Sequence, residues 1–273
     1  MKKDLFKNYQ KEILSLVVLL IAYIPSFMWM WERWFARDSY YSHGILVPFV
    51  SLFFVWQMRG ELAKIQRSCS PWGMKLIIAG IIVHIVSSMF RVNFSSAFSF
   101  LVVFYGMVLH FFGGKIFKKV LFPLMFLFFM VPLPMAVISN ISFRLKMFAA
   151  QLAEIVINKM GIPAIRKGSM ILMRDSYVVV DDVCSGLRSL ISLTALGSIF
   201  AYMFNKGTVK RVVLFLSTVP IAVFTNMCRV VALSVISEVW GSQYAAGLVH
   251  DITGFMVFAV AFVLLLAVQN LLE

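Results

Sequence analysis

The chain is poor in charge, poorer in acid, and nearly without sulfur chemistry. Of its 273 residues only 14% are charged, against 61% hydrophobic. A soluble domain is nearer a quarter charged and half apolar, so a water-facing globular shell is excluded. Acidic residues number 12 against 25 basic ones, giving a net charge of +13. The three cysteines, Cys69, Cys184 and Cys228, are too few and too scattered for a disulfide framework. They are not spaced as zinc ligands either, and neither metal nor cofactor is expected. No repeat or low-complexity tract is evident. The N-terminus has the basic start and apolar centre of a secretory signal but no small-x-small cleavage site, and reads as an uncleaved first span. No nucleic-acid-binding signature accompanies the basic excess, so no nucleic-acid partner is expected. Lysines and arginines are assigned to cytoplasmic loops, where they meet anionic lipid headgroups.

What is abundant is long apolar sequence. A membrane-spanning helix needs about 20 apolar residues, and the runs predict an all-α polytopic membrane protein of about eight spans. These are Ile13–Met30, Gly44–Met58, Leu76–Phe90, Ala97–Phe112, Val120–Pro134, Gly186–Phe204, Val212–Cys228 and Ile252–Leu272, read as one domain over residues 1–273. The second contains Pro48 and is expected to begin nearer Tyr40. Trp29, Trp31 and Trp34 read as an interfacial aromatic belt. With the N-terminus inside, the inner segments collect Lys2, Lys3, Lys7, Lys11, Arg59, Lys64, Arg67, Lys75, Lys115, Lys118, Lys119, Lys206, Lys210 and Arg211. The two short outer loops hold only Arg33, Arg37 and Arg91. That asymmetry fits the rule that short cytoplasmic loops carry the basic excess, and puts both termini in the cytoplasm.

One long outer segment, residues 135–183, lies between spans five and six. In its first half Ile141, Leu145, Phe148, Leu152 and Ile155 form an apolar stripe, while Asn140, Arg144, Gln151, Glu154 and Asn158 lie off it. This predicts an amphipathic helix on the outer membrane surface. Arg144, Lys146 and Glu154 argue against a further span, since each is costly at mid-bilayer. The second half has short apolar stretches around an Arg-Asp-Ser turn and predicts a small β-hairpin.

This topology gathers three groups at one depth on the outer side. Cys184 starts span six in VVVDDVCSGLRSL, Arg229 ends span seven in TNMCRVVALS, and His250 starts span eight in GLVHDITGFMVF. A thiolate is favoured near a helix N-terminus or a cation. Asp182 or Ser185 is placed to cap that helix, and Gly186 leaves the backbone beside the thiol unobstructed. Arg188 lies at i+4 from Cys184 and is expected on the same face. Asp181 and Asp182 oppose thiolate formation unless paired with Arg188 or Arg229. A histidine moves protons to and from a leaving group, and an arginine holds an oxyanion or a carbonyl. The set suits thiol-based acyl transfer. His43, in YYSHGILVP, falls on the same outer face and is a substitute for the proton-transfer role, whereas His84 and His110 read as structural. Each residue alone has a plainer reading: a membrane-helix cysteine is usually a packing residue, an arginine can snorkel to headgroups, and a histidine can be a merely interfacial polar group. Cys228 keeps the packing reading and Cys69 reads as incidental. A Cys184–Cys228 disulfide at the oxidising outer face is the rival for the thiol.

At these residues the sequence resembles the exosortase/archaeosortase family of membrane-embedded, transpeptidase-like enzymes. VVVDDVCSGLRSL resembles the family's Cys-Ser-Gly segment, FTNMCRVVAL its Asn-x-x-Arg segment with Asn226, and LVHDITGFMVF its histidine segment with a glycine four residues on. YYSHGILVPFVSLFFVW and LFFMVPLP extend the likeness over most of the chain. The resemblance implies a nucleophilic Cys184, a positioning Arg229 and a proton-transferring His250, with Arg188, Ser185, Gly186, Asn226 and His43 in support. It further implies exported protein substrates with a C-terminal tail of short motif, transmembrane helix and basic cluster. The cleaved end would pass to an unidentified surface acceptor, a lipid or a polysaccharide. The chain departs from the pattern at Asp251, directly after His250, and at Asp181–Asp182, where a more neutral or single acidic residue is common. A transporter would instead show internal repeats or ionisable mid-span residues. A lipid-phosphate enzyme using Arg188, Arg229 and a histidine would tolerate loss of Cys184.

Overall fold

Glycine, proline and basic turns interrupt the apolar runs, and the helices of the computed structural model follow those interruptions. It describes residues 9–37, 39–181, 185–241, 243 and 248–273, leaving aside the side chains of 248, 250 and 251. The chain divides into two units, residues 1–133 and 134–273.

The first unit holds α1 (Gln10–Ala22), α2 (Ile24–Phe35), α3 (Leu46–Gln57), α4 (Arg59–Leu62), α5 (Pro71–Met89), α6 (Asn93–Lys119) and α7 (Leu121–Phe126), the last running into a 3-10 turn, Leu127–Met130. Proline stands in the first turn of α2 and α5, where its missing N–H is harmless. Between α1 and α2 the axis bends by 63°. Helices α5 and α6 pack backbone to backbone: a Cβ on Gly73 would lie 2.4 Å from the His110 backbone nitrogen, and one on Gly106 2.8 Å from that of Ile77. Such close approach supplies the packing that lipid tails, as apolar as the helices, cannot drive. Polar groups among these helices bond to one another, Tyr23 to Ser99 (2.9 Å), Ser26 to Ser96 (2.7 Å) and His84 Nδ1 to Ser96 (2.9 Å), because the bilayer offers no water. The segments that the charge rule puts on one side touch one another. Arg67 pairs with Glu12 at 3.8 Å and covers the Tyr9 ring, and Lys119 pairs with Glu61 at 2.5 Å.

The second unit holds α8 (Met135–Lys159), β1 (Ile165–Lys167), β2 (Met170–Leu172), β3 (Tyr177–Val179), α9 (Leu187–Met203), α10 (Thr208–Trp240) and α11 (Leu248–Leu272). The expected hairpin carries a third strand, giving an antiparallel sheet in the order β1-β2-β3, with Arg166 opposite Ile171 and Ile171 opposite Val178. Helices occupy both edges. Arg166 N–H donates to Glu154 at 3.0 Å, and the Ser237 hydroxyl donates to the Tyr177 carbonyl at 3.3 Å. Ile171 and Val180 are buried with Ala149, Ala150, Ala153 and Ile157 of α8 and Val230 of α10. Helix α8 leaves Leu145 and Leu152 of the expected stripe half-buried. Its small residues face the protein, while Ile141, Phe148 and Ile155 are exposed, as happens where large apolar side chains meet an apolar solvent and small ones allow close packing.

By length and composition, four helices suffice to cross a membrane: Pro71–Met89, Asn93–Lys119, Thr208–Trp240 and Ile252–Leu272. The count reaches six when two interrupted pairs, Gln10–Ala22 with Ile24–Phe35 and Leu121–Met130 with Met135–Lys159, each count once. Helices α3 and α9, with 12 and 17 residues, are apolar but shorter. The chain is an all-α polytopic membrane protein with one small sheet. Span seven needs correction. The sequence reading ended it at Cys228, but α10 runs unbroken through 33 residues to Trp240, so Arg229 lies inside a helix. Gly241, at φ +101°, ends it.

Candidate active site

Helix α10 organises the site, because one of its faces touches the two neighbours that carry the other candidates. Asn226 and Arg229 are three residues apart and therefore share that face. Both are buried, Asn226 at 2% and Arg229 at 8% exposure.

Asn226 meets the turn that opens α9. Gly186 stands there at φ +80°, and a Cβ on it would lie 2.7 Å from Asn226 Cγ. Glycine is needed twice over, for the left-handed backbone and for the room. The buried Ser185 hydroxyl accepts the Leu187 N–H at 3.3 Å, satisfying one of the N–H groups that a helix start leaves without a partner. A cavity of about 10 Å³, bordered by Ser185, Gly186, Asn226, Phe148 and Leu190, has room for one water at most. Val180 is held in the sheet's core and Gly186 stands against Asn226. Cys184 and Asp182 fall between them, outside the described residues.

Arg229 meets α11. Its Nε–H donates to the Thr253 hydroxyl at 3.4 Å. A Cβ on Gly254 would lie 3.4 Å from one of its terminal nitrogens and 3.7 Å from Cζ. His250 belongs to the same helix, three residues before Thr253; its side chain is outside the description. At 1.5 Å per residue, the stretch of α10 from Arg211 to Arg229 covers about 27 Å, close to the ~30 Å hydrocarbon core of a bilayer. Arg211 donates to the Phe204 carbonyl at 2.7 Å, and Lys210 reaches the Leu272 carbonyl. The end of this unit holding Lys210, Arg211 and the chain terminus thus lies one membrane thickness from Arg229.

The remaining expectations divide. Arg188 stands in the first turn of α9, half-buried, and among the described residues its Nε has no hydrogen-bond partner. Helix α9 begins only at Leu187, after the left-handed Gly186, and the expected shared face with Cys184 lies outside the described residues. His43 lies in the first unit, in a turn before α3, stacked on Tyr41 at 5.9 Å. Burial pushes its imidazole down to about 4, so it is neutral at pH 7. Cys228 is a free, exposed thiol in an apolar groove with Met160, Val231, Ala232 and Val235. Cys69, read as incidental, lies 3.7 Å from His110 Nδ1. Among the described residues no group of three His, Cys, Asp or Glu could hold a metal. Sequence reasoning missed Thr253, which only the contact between α10 and α11 reveals. Gly254 was visible as the glycine of the histidine segment, but not its place beside a guanidinium.

A sequence model of the family described as transmembrane exosortase matches residues 31–267 of this chain. No curated protein and no solved structure matches it.

Proposed function

The chain belongs to the transmembrane exosortase family, and from that premise we propose that it is a membrane cysteine peptidase and transpeptidase. In this reading it cleaves the C-terminal sorting tail (short motif, transmembrane helix, basic cluster) of exported proteins and passes the new end to a surface acceptor, a lipid or a polysaccharide. It resides in the cell membrane among lipids, with both termini cytoplasmic and the site on the extracytoplasmic face. The observation that carries the reading is the double anchorage of α10. Asn226 fixes the turn two residues after Cys184, and Arg229, three residues along the same face, is held against the helix of His250.

The chemistry is two acyl transfers. The Cys184 thiolate attacks the scissile carbonyl carbon, and the electron pair moves onto oxygen. The Arg229 guanidinium, whose planar fork suits an oxyanion, stabilises that charge. His250 gives a proton to the leaving nitrogen as the C–N bond breaks, leaving a thioester on Cys184 and the free amine of the tail. An acceptor nucleophile or water then loses its proton to His250 and attacks the thioester. The C–S bond breaks and the thiolate returns. His250 precedes Thr253 by three residues and Gly254 by four in α11, a spacing that supports its meeting Arg229.

The test is mass spectrometry of the mature C-termini of such tailed proteins in cells carrying the wild-type chain or Cys184→Ala. Full-length tails in the variant cells, with the variant protein still in the membrane, support the reading; normal trimming there overturns it.

A further inference from the structure

The apolar groove beside Cys228 has no part in the reaction given above. We propose that it is a substrate subsite, which receives an apolar side chain of the exported protein from within about three residues before the scissile bond. The proposal rests on the function proposed above and deepens it, by naming what is recognised next to the bond that is cut.

Val156 and Met160 of α8 form one wall of the groove, and Cys228, Val231, Ala232 and Val235 of α10 form the other. The four residues of α10 recur at intervals of three and four, so they make one stripe along that helix. The neighbouring stripe, Val230, Leu233, Ser234 and Ser237, is buried. The groove measures about 410 Å³, within the range of about 300–1,000 Å³ usual for ligand sites. Among the described residues its border carries no charge, and Met160 and Met227 contribute flexible thioethers, which adapt to apolar groups of different shape. It suits apolar side chains as a class.

The height of the groove selects the occupant. Cys228 adjoins Arg229, which stands about 27 Å along α10 from Arg211, near the outer limit of a ~30 Å hydrocarbon core. From there the groove follows α10 to Ile236, about 10 Å further out. Acyl chains run inward from the headgroups, to the other side of Arg229. The transmembrane helix of the substrate follows the scissile bond and lies on that inner side too. The part of the substrate that stands outward of Arg229 is the stretch preceding the bond. An extended peptide rises about 3.3 Å per residue, so about 10 Å of groove matches about three residues. Cys228 and Arg229 are consecutive, so a side chain seated in the groove sets which carbonyl reaches the guanidinium.

Cys228 is itself the probe for the test, being free and exposed. The full-length chain with Cys69→Ser and Cys184→Ala keeps it as the sole thiol. This variant is produced with a tailed exported protein of mapped mature C-terminus, freed of other cysteines and given single cysteines along its tail, and the membranes are oxidised with copper phenanthroline. A disulfide to Cys228 is expected from positions within about three residues before the trimmed end, and not from the transmembrane helix. Crosslinks from that helix alone, a Cys228–Cys228 dimer as the sole product, or no disulfide from any position each overturns the proposal; they assign the groove to the tail's helix, to a second copy of the chain, or to lipid. A kinetic arm uses Ala232→Leu with all three cysteines intact. Ala232 is exposed, so the larger side chain fills the groove and leaves the buried face alone. KM for the tailed protein is expected to rise about tenfold at unchanged kcat, as binding away from the reacting atoms is lost. An unchanged KM, or a fall in kcat alone, overturns the proposal. If trimming proves independent of Cys184, the reaction itself falls, and the disulfide scan still decides whether the groove holds the tailed protein.

Discussion

Gly186→Ala is the substitution in which backbone and packing act together most plainly. At φ +80° an alanine would occupy the left-handed region, at a cost of about 1–2 kcal/mol. Its methyl would stand 2.7 Å from Asn226 Cγ and 2.8 Å from Nδ2. Neither partner can retreat freely, since Asn226 is on a buried helix face, and overpacking of this kind costs roughly 1–3 kcal/mol. The sum, about 2–5 kcal/mol, falls on the start of α9, two residues after Cys184. At 1.4 kcal/mol per tenfold, a loss of about 2–5 kcal/mol lowers the ratio of native to distorted α9 start by roughly 30- to 4,000-fold. Trimming of a tailed substrate in membranes should fall accordingly, while the protein stays inserted and its melting in detergent drops by only a few degrees. Adding Asn226→Ala should recover part of the lost melting temperature, by removing Cγ and Nδ2, but not the left-handed part. Gly186→Ala with wild-type melting and trimming would refute the reasoning.

Three further outcomes are expected. Arg229→Lys keeps the charge but loses the planar fork and the Nε–H, and should slow trimming by about 10- to 100-fold at similar protein levels; trimming assays in membranes check this, and full activity would contradict it. Gly197→Ala puts a methyl 2.1 Å from Thr218 Cγ2 and should destabilise the α9–α10 contact by about 1–3 kcal/mol. Thr218→Ser, which keeps the hydroxyl bonded to Phe215, should restore the melting temperature. Because burial lowers the His43 imidazole to about 4, the folded protein resists a proton that the unfolded chain accepts near 6.5. That contribution is full above pH 6.5 and is lost as pH falls towards 4, by up to about 3 kcal/mol. His43→Gln should therefore flatten the fall in melting temperature between pH 6.5 and 4, and an unchanged slope would show that His43 is not its cause.

The sequence made the membrane class, the order of the helices and the short strands readable, because apolar length and turn residues are local signals. The reach of α10 beyond its expected end at Cys228 is a local signal as well. Between Ile221 and Trp240 there is neither glycine nor proline, and Gly241 is an ordinary helix stop. Ser237 and Glu238 make the last turn of that helix polar. Their partners, Tyr177 for Ser237 and Ser176 for Glu238, lie far off in the chain. The large apolar residues of α8 are legible as a stripe, whereas its packed face is marked by small ones, Ala149, Ala150 and Ala153, which carry little hydrophobic signal of their own. Gly186 and Arg229 were legible as residue types. What each touches, Asn226 in one case and Thr253 in the other, depends on how α10 packs against its neighbours, and no spacing rule carries that.

The central claim is that a thioester forms on one sulfur beside Arg229. Peptide mapping after rapid acid quench of the enzyme with a tailed substrate tests it most directly. The account predicts a hydroxylamine-sensitive acyl adduct on Cys184, accumulating when the acceptor is withheld and absent in Cys184→Ala. An adduct on Cys228 or Cys69, or trimming that proceeds at full rate with no adduct at all, would contradict it.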